Sequence, residues 1–412
     1  METACQRFPW RFSLTVSLPL SMSAAVSSDA VSSESRPDSL PDQPERTLMA
    51  RADHTVVTLD QTRLPFDRVE LVLRHAAGCA QAIATMQVRG APLIGAVAAF
   101  GLALALREAP DDAALDAAHA GLLATRPTAV NLRWALDRLR ARVALASPGQ
   151  RWETAWREAC DIADEDVAIN RAIGEHGAWH LRRLVAQREA VGRPVDARTP
   201  LQLLTHCNAG RLAAVAHGTA LAPIYALHRA GVPLHVWIDE TRPRNQGASL
   251  TAWELANAGV PCTLVADNAG GLLMRQGRVD AVIVGCDRVA RNGDVANKIG
   301  TLLKALAARD AGVPFWVACP SPTIDPASSY GEAIEIETRS ARELTHITGR
   351  AADGRLCEVQ LVQDGVAGFN PAFDVTPARL VDGLLTEHGM VAASVAGVAA
   401  VLAASAAPRT SL

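Results

Sequence analysis

The chain has 412 residues, 49% of them hydrophobic and 20% charged, with a formal net charge of −3. That length exceeds one ordinary core and the apolar share can fill a large one, so a miniprotein and a globally disordered chain are excluded and about two to three domain-sized units are expected. No long cationic run is present, which removes the electrostatic footprint of nucleic-acid binding or attachment to an anionic membrane.

Residues 1–48 are rich in Ser, Pro and acidic residues and are expected to form a disordered extension, or to precede the true start at Met49. Arg7 and Arg11 followed by FSLTVSLPLSMSAA imitate a secretory signal, but the cysteines favour the plainer reading. All eight are scattered, with no CxxC pair and no zinc spacing, as in a reduced cytoplasmic protein.

From 49 to 196 the pattern predicts a mainly helical N-terminal domain with a small sheet. TVVTLD reads as a strand, and Arg89-Gly90-Ala91-Pro92 opens an apolar helix with proline in its first turn. Two longer segments with apolar residues every three to four positions follow. Their other faces carry Arg and Glu.

From 197 to 390 short apolar runs alternate with helical segments: LQLLTHCN, LHVWIDE, PCTLVAD, VDAVIVGCD and VPFWVACP. This predicts an α/β, Rossmann-like domain with a parallel sheet covered on both faces. The runs end at Cys207-Asn208, Asp239-Glu240, Asp267-Asn268, Asp287-Arg288 and Cys319, all on the edge where such sheets bind ligands. Residues 391–412 form an Ala-rich tail, read as a surface or frayed helix, and the 91–106 run is too short to span a bilayer.

Three features suit a phosphate. Arg89 to Pro92 puts a guanidinium and backbone amides at a helix start. Arg126 is a fork donor ahead of another helix. Asn292 to Lys298 reads as a turn into a helix, and Lys298 is one of only two lysines, with Lys304, among forty basic residues. Each also fits a structural role, as a tight helix entry or a surface ion pair.

Cys207, at a strand end before a Gly-containing helix start, could be a dipole-stabilised thiolate or an inert buried side chain. Asp287, behind Val282, Ile283 and Val284, could be an acid of raised pKa or a helix cap paired to Arg288. His206 cannot easily serve Cys207 as a base, because adjacent side chains on a strand point to opposite faces. No GxSxG, GxGxxG or Walker loop is present.

Taken together, Arg89-Gly90-Ala91-Pro92, RPTAVNLRWA, LTHCNAG, DETRPRNQGASLTAWEL, GCDRVARNGDVANKIGT and FNPAFDVTP resemble the S-methyl-5-thioribose-1-phosphate isomerases of methionine salvage, from about residue 53 to 390. Their superfamily also holds regulatory subunits of a translation-initiation exchange factor. The resemblance implies conversion of 5-methylthioribose 1-phosphate to 5-methylthioribulose 1-phosphate without cofactor or metal, in a homodimer. It makes Cys207 and Asp287 the catalytic pair and Arg89, Gly90, Ala91, Arg126, Gln246, Asn297 and Lys298 the substrate-binding set. Alternatives are an isomerase of ribose 1,5-bisphosphate or 5-deoxyribose 1-phosphate, or a non-catalytic sugar-phosphate-sensing subunit. Cys286 departs from the family's usual alanine, and PSPTID from its usual APLSTFD.

Overall fold

The structure is a computed structural model that describes residues 45–406. The expected disordered leader up to residue 44 and the end of the tail, residues 407–412, lie outside the described residues. The packed chain reaches back past Met49: Leu48 is buried, and Thr47 donates its backbone N–H to Val215 O at 2.8 Å.

An antiparallel sheet of β1 (Met49–Ala50), β2 (Val56–Leu59) and β3 (Glu70–Leu73) opens the fold. It leads into α1 (Ala76–Ala84), α2 (Ala91–Glu108), α3 (Asp112–Thr125), α4 (Val130–Val143) and the 40-residue α5 (Arg151–Ala190). α2 lies in the middle of this layer. It is apolar on all sides because it is buried on all sides, from Leu93 to Leu106. It runs to Glu108, longer than the apolar run alone suggests, and is long and apolar enough to cross a membrane. Its burial inside the fold accounts for that composition. α5 serves two cores: Ala155, Ala159 and Ile162 pack in the helical layer, whereas Ile169, Ile173 and Leu181 pack on the main sheet.

The second half runs through β4 (Leu201–Thr205), α6 (Ala222–Arg229), β5 (Leu234–Asp239), α7 (Ala252–Asn257), β6 (Cys262–Val265), α8 (Ala269–Arg275) and β7 (Ala281–Val284). It continues with β8 (Arg288–Ala290), β9 (Val295–Lys298), α9 (Thr301–Ala311), β10 (Phe315–Ala318), β11 (Ile324–Asp325) and α10 (Arg342–Thr345). The chain finishes with β12 (His346–Arg350), β13 (Leu356–Gln360), β14 (Phe373–Thr376), β15 (Gly383–Thr386), β16 (Gly389–Val391) and α11 (Val395–Ala406).

The main sheet has the order β16-β15-β10-β7-β4-β5-β6, parallel except for β16 at its edge. Its central strands are buried along their whole length, as layers on both faces require. From β4 the chain steps outward through β5 and β6, then returns to the other side of β4 at β7 and continues to β10 and β15. The strand order therefore reverses between β4 and β7, and in open α/β sheets that crevice is where ligands bind.

A smaller sheet, β11-β8-β9-β14, sits beyond the carboxyl end of β7. It corrects one expectation: Val295 to Lys298 is a strand, not a turn running into a helix. Its residues pair antiparallel with β8, across the short turn at Asn292-Gly293, and on the other side with Thr376 to Phe373, almost eighty positions away. The helix starts only at Thr301, after Gly300. The tail is the helix α11, with Val398 and Val401 buried.

Candidate active site

One cavity at the β4/β7 crevice is lined by all nine residues singled out from the sequence: Arg89, Gly90, Ala91, Arg126, Cys207, Gln246, Asp287, Asn297 and Lys298. Cys207 follows β4 and Asp287 follows β7, so the two reactive candidates flank the switch point from neighbouring strands.

Arg89 and Gly90 come from the start of α2. Gly90 has φ +101°, and a Cβ there would meet Ala213 Cα at 2.4 Å, so only glycine lets the helix start approach the 211–213 turn. The Arg89 guanidinium donates to the side-chain and backbone oxygens of Asn208. Asn208 in turn donates to Glu254 Oε1 at 2.8 Å. Glu254, 2% exposed, also accepts from Arg211 N, Leu212 N and Tyr225 Oη. This buried carboxylate shapes the loop after Cys207 and, through Asn208, aims Arg89. Glu254→Gln turns an amide donor toward groups that need an acceptor. It is expected to lower stability by about 1–3 kcal/mol, measured as an earlier denaturant midpoint with unchanged slope; an unmoved midpoint contradicts this role.

The Cys207 thiol is buried, and burial raises its pKa above the ordinary value, opposed chiefly by Arg89 and Lys298. No α-helix begins here: a 3-10 turn at Arg211–Ala213 follows, so of the two readings left open by the sequence the helix-dipole thiolate lacks its helix and the thiol is desolvated. Cys207 also takes φ +65°, and Met86, Thr241 and Asn245 around it are likewise left-handed. Such conformations cost about 1–3 kcal/mol each and gather at functional sites.

The Asp287 carboxylate is partly buried and accepts no hydrogen bond from any other described residue. Desolvation raises its pKa, while Lys298, Arg126 and Arg89 pull it down. It is not paired to Arg288, which bonds Asp325 Oδ2 at 3.2 Å and the carbonyl of Thr128.

Lys298, 8% exposed, donates to Ala372 O at 2.9 Å and lies 4.5 Å over the ring of Phe373. Burial lowers its pKa. Arg126 Nη2 bonds Glu337 Oε2 at 2.9 Å, and Nη1 contacts Met86 Sδ at 3.2 Å. Gln246 is buried, and its Oε1 has no hydrogen-bond partner among the described residues. It precedes a π-helical turn, Gly247–Thr251, a distortion frequent at functional sites. Asn297 donates to Thr301 Oγ1 at 3.0 Å. Three cations thus face one carboxylate and one thiol, an arrangement suited to a phosphate ester beside an acid.

Met86, Glu337 and Phe373 were not singled out by sequence reasoning, and Asn208 was named only as a strand end on the ligand-binding edge. Phe373 lay inside a quoted motif, whereas Met86 and Glu337 carried no local signal. Cys286, the departure from the family pattern, lines the cavity, and its Sγ contacts Ala318 O at 3.5 Å.

Residues 87–393 match the initiation factor 2 subunit family, and the chain belongs to that family. Within it, the chain is 56% identical over 356 residues to a methylthioribose-1-phosphate isomerase of Rhodospirillum centenum, covering 86% of this chain and 93% of the relative. Among solved structures, a 5-methylthioribose 1-phosphate isomerase of Pyrococcus horikoshii superposes with a TM-score of 0.72 at 37% identity, over 88% of this chain and 97% of that one. A structure described as the delta subunit of translation initiation factor eIF-2B from A. fulgidus gives 0.70 at 36% identity, over 87% and 99%.

Proposed function

We propose that this chain converts 5-methylthioribose 1-phosphate to 5-methylthioribulose 1-phosphate in methionine salvage, with Asp287 and Cys207 as the reacting side chains. The observation that supports these roles is an unpartnered carboxylate and a desolvated thiol on adjacent strands, facing Arg89, Arg126 and Lys298. Because the phosphate sits on the anomeric oxygen, the ring cannot open to a free aldehyde unaided. Asp287 protonates the ring oxygen while the cations and the amides at the start of α2 hold the phosphate. The C1 bond to the ring oxygen breaks, hydrogen passes from C2 to C1, as a proton through an enol or as a hydride, and the C2 hydroxyl returns its proton to Asp287 as the ketone forms, with Cys207 as base or stabilising the developing charge.

The catalytic cavity is small, about 60 Å³, and adjoins a larger one of about 650 Å³ through Met86, Arg89 and Gln246. The reacting end fits the first. The 5-methylthio group points to the second, whose wall includes Leu64, Phe66 and Leu250.

Substrate binding sharpens the acid. The cations that pull the Asp287 pKa down are neutralised when they take up a phosphate dianion, so that pKa rises further in the complex. The basic limb of kcat is therefore expected at higher pH than the basic limb of kcat/KM, since the first reports the complex and the second the free enzyme. Coincident limbs contradict the assignment.

Phosphorus and proton NMR in D2O with the purified chain tests the reaction. Formation of the ketose phosphate supports it, and deuterium at C1 selects proton transfer over hydride shift. The likeness to the eIF-2B delta subunit favours a regulatory module as the second reading, and a folded protein inert toward the substrate would select it. The seven described cysteines are all free, which supports a cytoplasmic setting, and the resemblance supports a homodimer.

A further inference from the structure

Directly beneath the cavity floor lies a cluster of charged groups with no part in the chemistry above. His206 and Asp239 are both fully buried, and His206 Nδ1 is 2.9 Å from Asp239 Oδ2. Its other ring nitrogen, Nε2, is 2.9 Å from Ile299 O. Both neighbours are acceptors, so both contacts become hydrogen bonds only when each ring nitrogen carries hydrogen. Lys304, the second of the chain's two lysines, is 3% exposed. Its ammonium is 3.1 Å from Asp239 Oδ2 and donates to Asp267 O at 2.5 Å.

The ligand atoms of His206, Asp239 and Asp267 lie within 4.8 Å of one another, spacing that suits a metal ion. The cation there is already covalently present, as the ammonium of Lys304. The fourth member, Asp267, accepts the backbone N–H groups of Thr241 and Arg242, each at 2.7 Å. Asp374 flanks the cluster and accepts from Gly300 N and Leu302 N.

Two links join this cluster to the reacting groups. The first runs through Thr241: its Oγ1 accepts the N–H of Cys207 at 2.8 Å and donates to Asp239 O at 3.0 Å. The second runs through His206, which is bonded to Cys207 in the chain and holds the carbonyl of Ile299, the residue after Lys298. A displaced imidazole would therefore move the thiol and the phosphate-facing ammonium together.

We propose that the His206, Asp239, Asp267 and Lys304 cluster is the positioning device that sets Cys207 and Lys298 relative to each other. The proposal rests on the reaction assigned above, in which both residues take part. Its cation is needed because the fully buried Asp239 carboxylate, with that of the partly exposed Asp267 nearby, would lack an ammonium countercharge under the thiol without Lys304.

The test compares Lys304→Met with the double variant D239N/K304M, which removes one charge of each sign and keeps the balance. Both are measured for kcat per folded protein, for melting temperature and for the rate of Cys207 alkylation by iodoacetamide. Lys304→Met is expected to lower kcat at least tenfold and to change the alkylation rate at least fivefold. The double variant is expected to return both to within about threefold of the parent. A Lys304→Met protein with parental kcat and alkylation but a lower melting temperature would show a merely structural role and overturn the proposal, as would a double variant as impaired as the single. If Lys304→Met does not fold, Lys304→Arg keeps the charge and alters its geometry; a kcat at least threefold lower supports the proposal and an unchanged kcat overturns it. Alkylation needs no substrate, so a parent protein inert toward the sugar phosphate would defeat the reaction while leaving the thiol comparison to judge the cluster.

Discussion

Asp287→Asn is expected to lower kcat by about 10²–10⁴-fold, the usual contribution of a positioned acid or base, with the melting temperature nearly unchanged. The carboxylate accepts no hydrogen bond from the described residues; desolvation and, more weakly, the Glu337 charge raise its pKa, while the charges of Lys298, Arg126 and Arg89 lower it. Little native structure therefore depends on its charge, while the ring oxygen loses its proton donor. Cys207→Ser should reduce kcat over the same range. Serine preserves the backbone N–H that bonds Thr241 Oγ1 but replaces a polarisable thiol with a far weaker acid. Steady-state kinetics on folded protein checks both, and near-parental turnover in either removes that residue from the reaction.

Lys298→Ala acts on binding first. An ammonium has three donor hydrogens, and the described structure commits one, to Ala372 O, so donor capacity remains toward the cavity. A charge-assisted hydrogen bond is worth about 1.5–3 kcal/mol, so affinity for the phosphorylated sugar should fall roughly 10–150-fold. Lys298→Arg is not expected to rescue it. The site holds a compact ammonium against Phe373, and a planar fork does not fit that role. Removing Lys298 also removes the charge that most strongly lowers the Asp287 pKa, so the basic limb of kcat/KM should move to higher pH. Isothermal titration with inorganic phosphate, alongside KM, separates the two effects. Unchanged affinity and an unmoved limb would place Lys298 outside the phosphate site.

The cluster beneath the floor bears on how such a site is built. Met86 and Cys207 in the cavity wall, Thr241 bonded to Cys207, and Asn245 beside Gln246 are left-handed non-glycine residues, and each resists its conformation. Thr241 and Cys207 are held by side-chain and backbone hydrogen bonds drawn from Asp267 and from each other. Rigid support of this kind, rather than the number of contacts a ligand makes, keeps a thiol, a carboxylate and three cations in register.

The apolar runs at 201–208, 262–267 and 281–287 and the residues that end them follow from local chemistry. Alternation of strand and helix patterns, proline in the first turn of α2 and lysine retained against an arginine background are all local, and they point to one ligand-binding edge. Lys298 was legible for that reason, as were Arg89 and Gly90. The strand order was not: only long-range pairing places β7 beside β4 and so brings Asp287 next to Cys207. The strand Val295–Lys298 was hidden only in part: its partner β14 is distant, whereas β8 pairs with it across the short turn at Asn292-Gly293. The state of Cys207 was decided by burial and by the absence of an α-helix after it, neither readable from neighbouring residues. His206 could be excluded as a base for Cys207 from strand geometry alone, but its engagement with Asp239 and Ile299 required the sheet to close. The sequence by itself determined which side chains could carry the chemistry, because side-chain character and local backbone preference are properties of short segments. Which of them meet, and at what charge, was decided only by the tertiary structure, because strand order and desolvation depend on residues far apart in the chain.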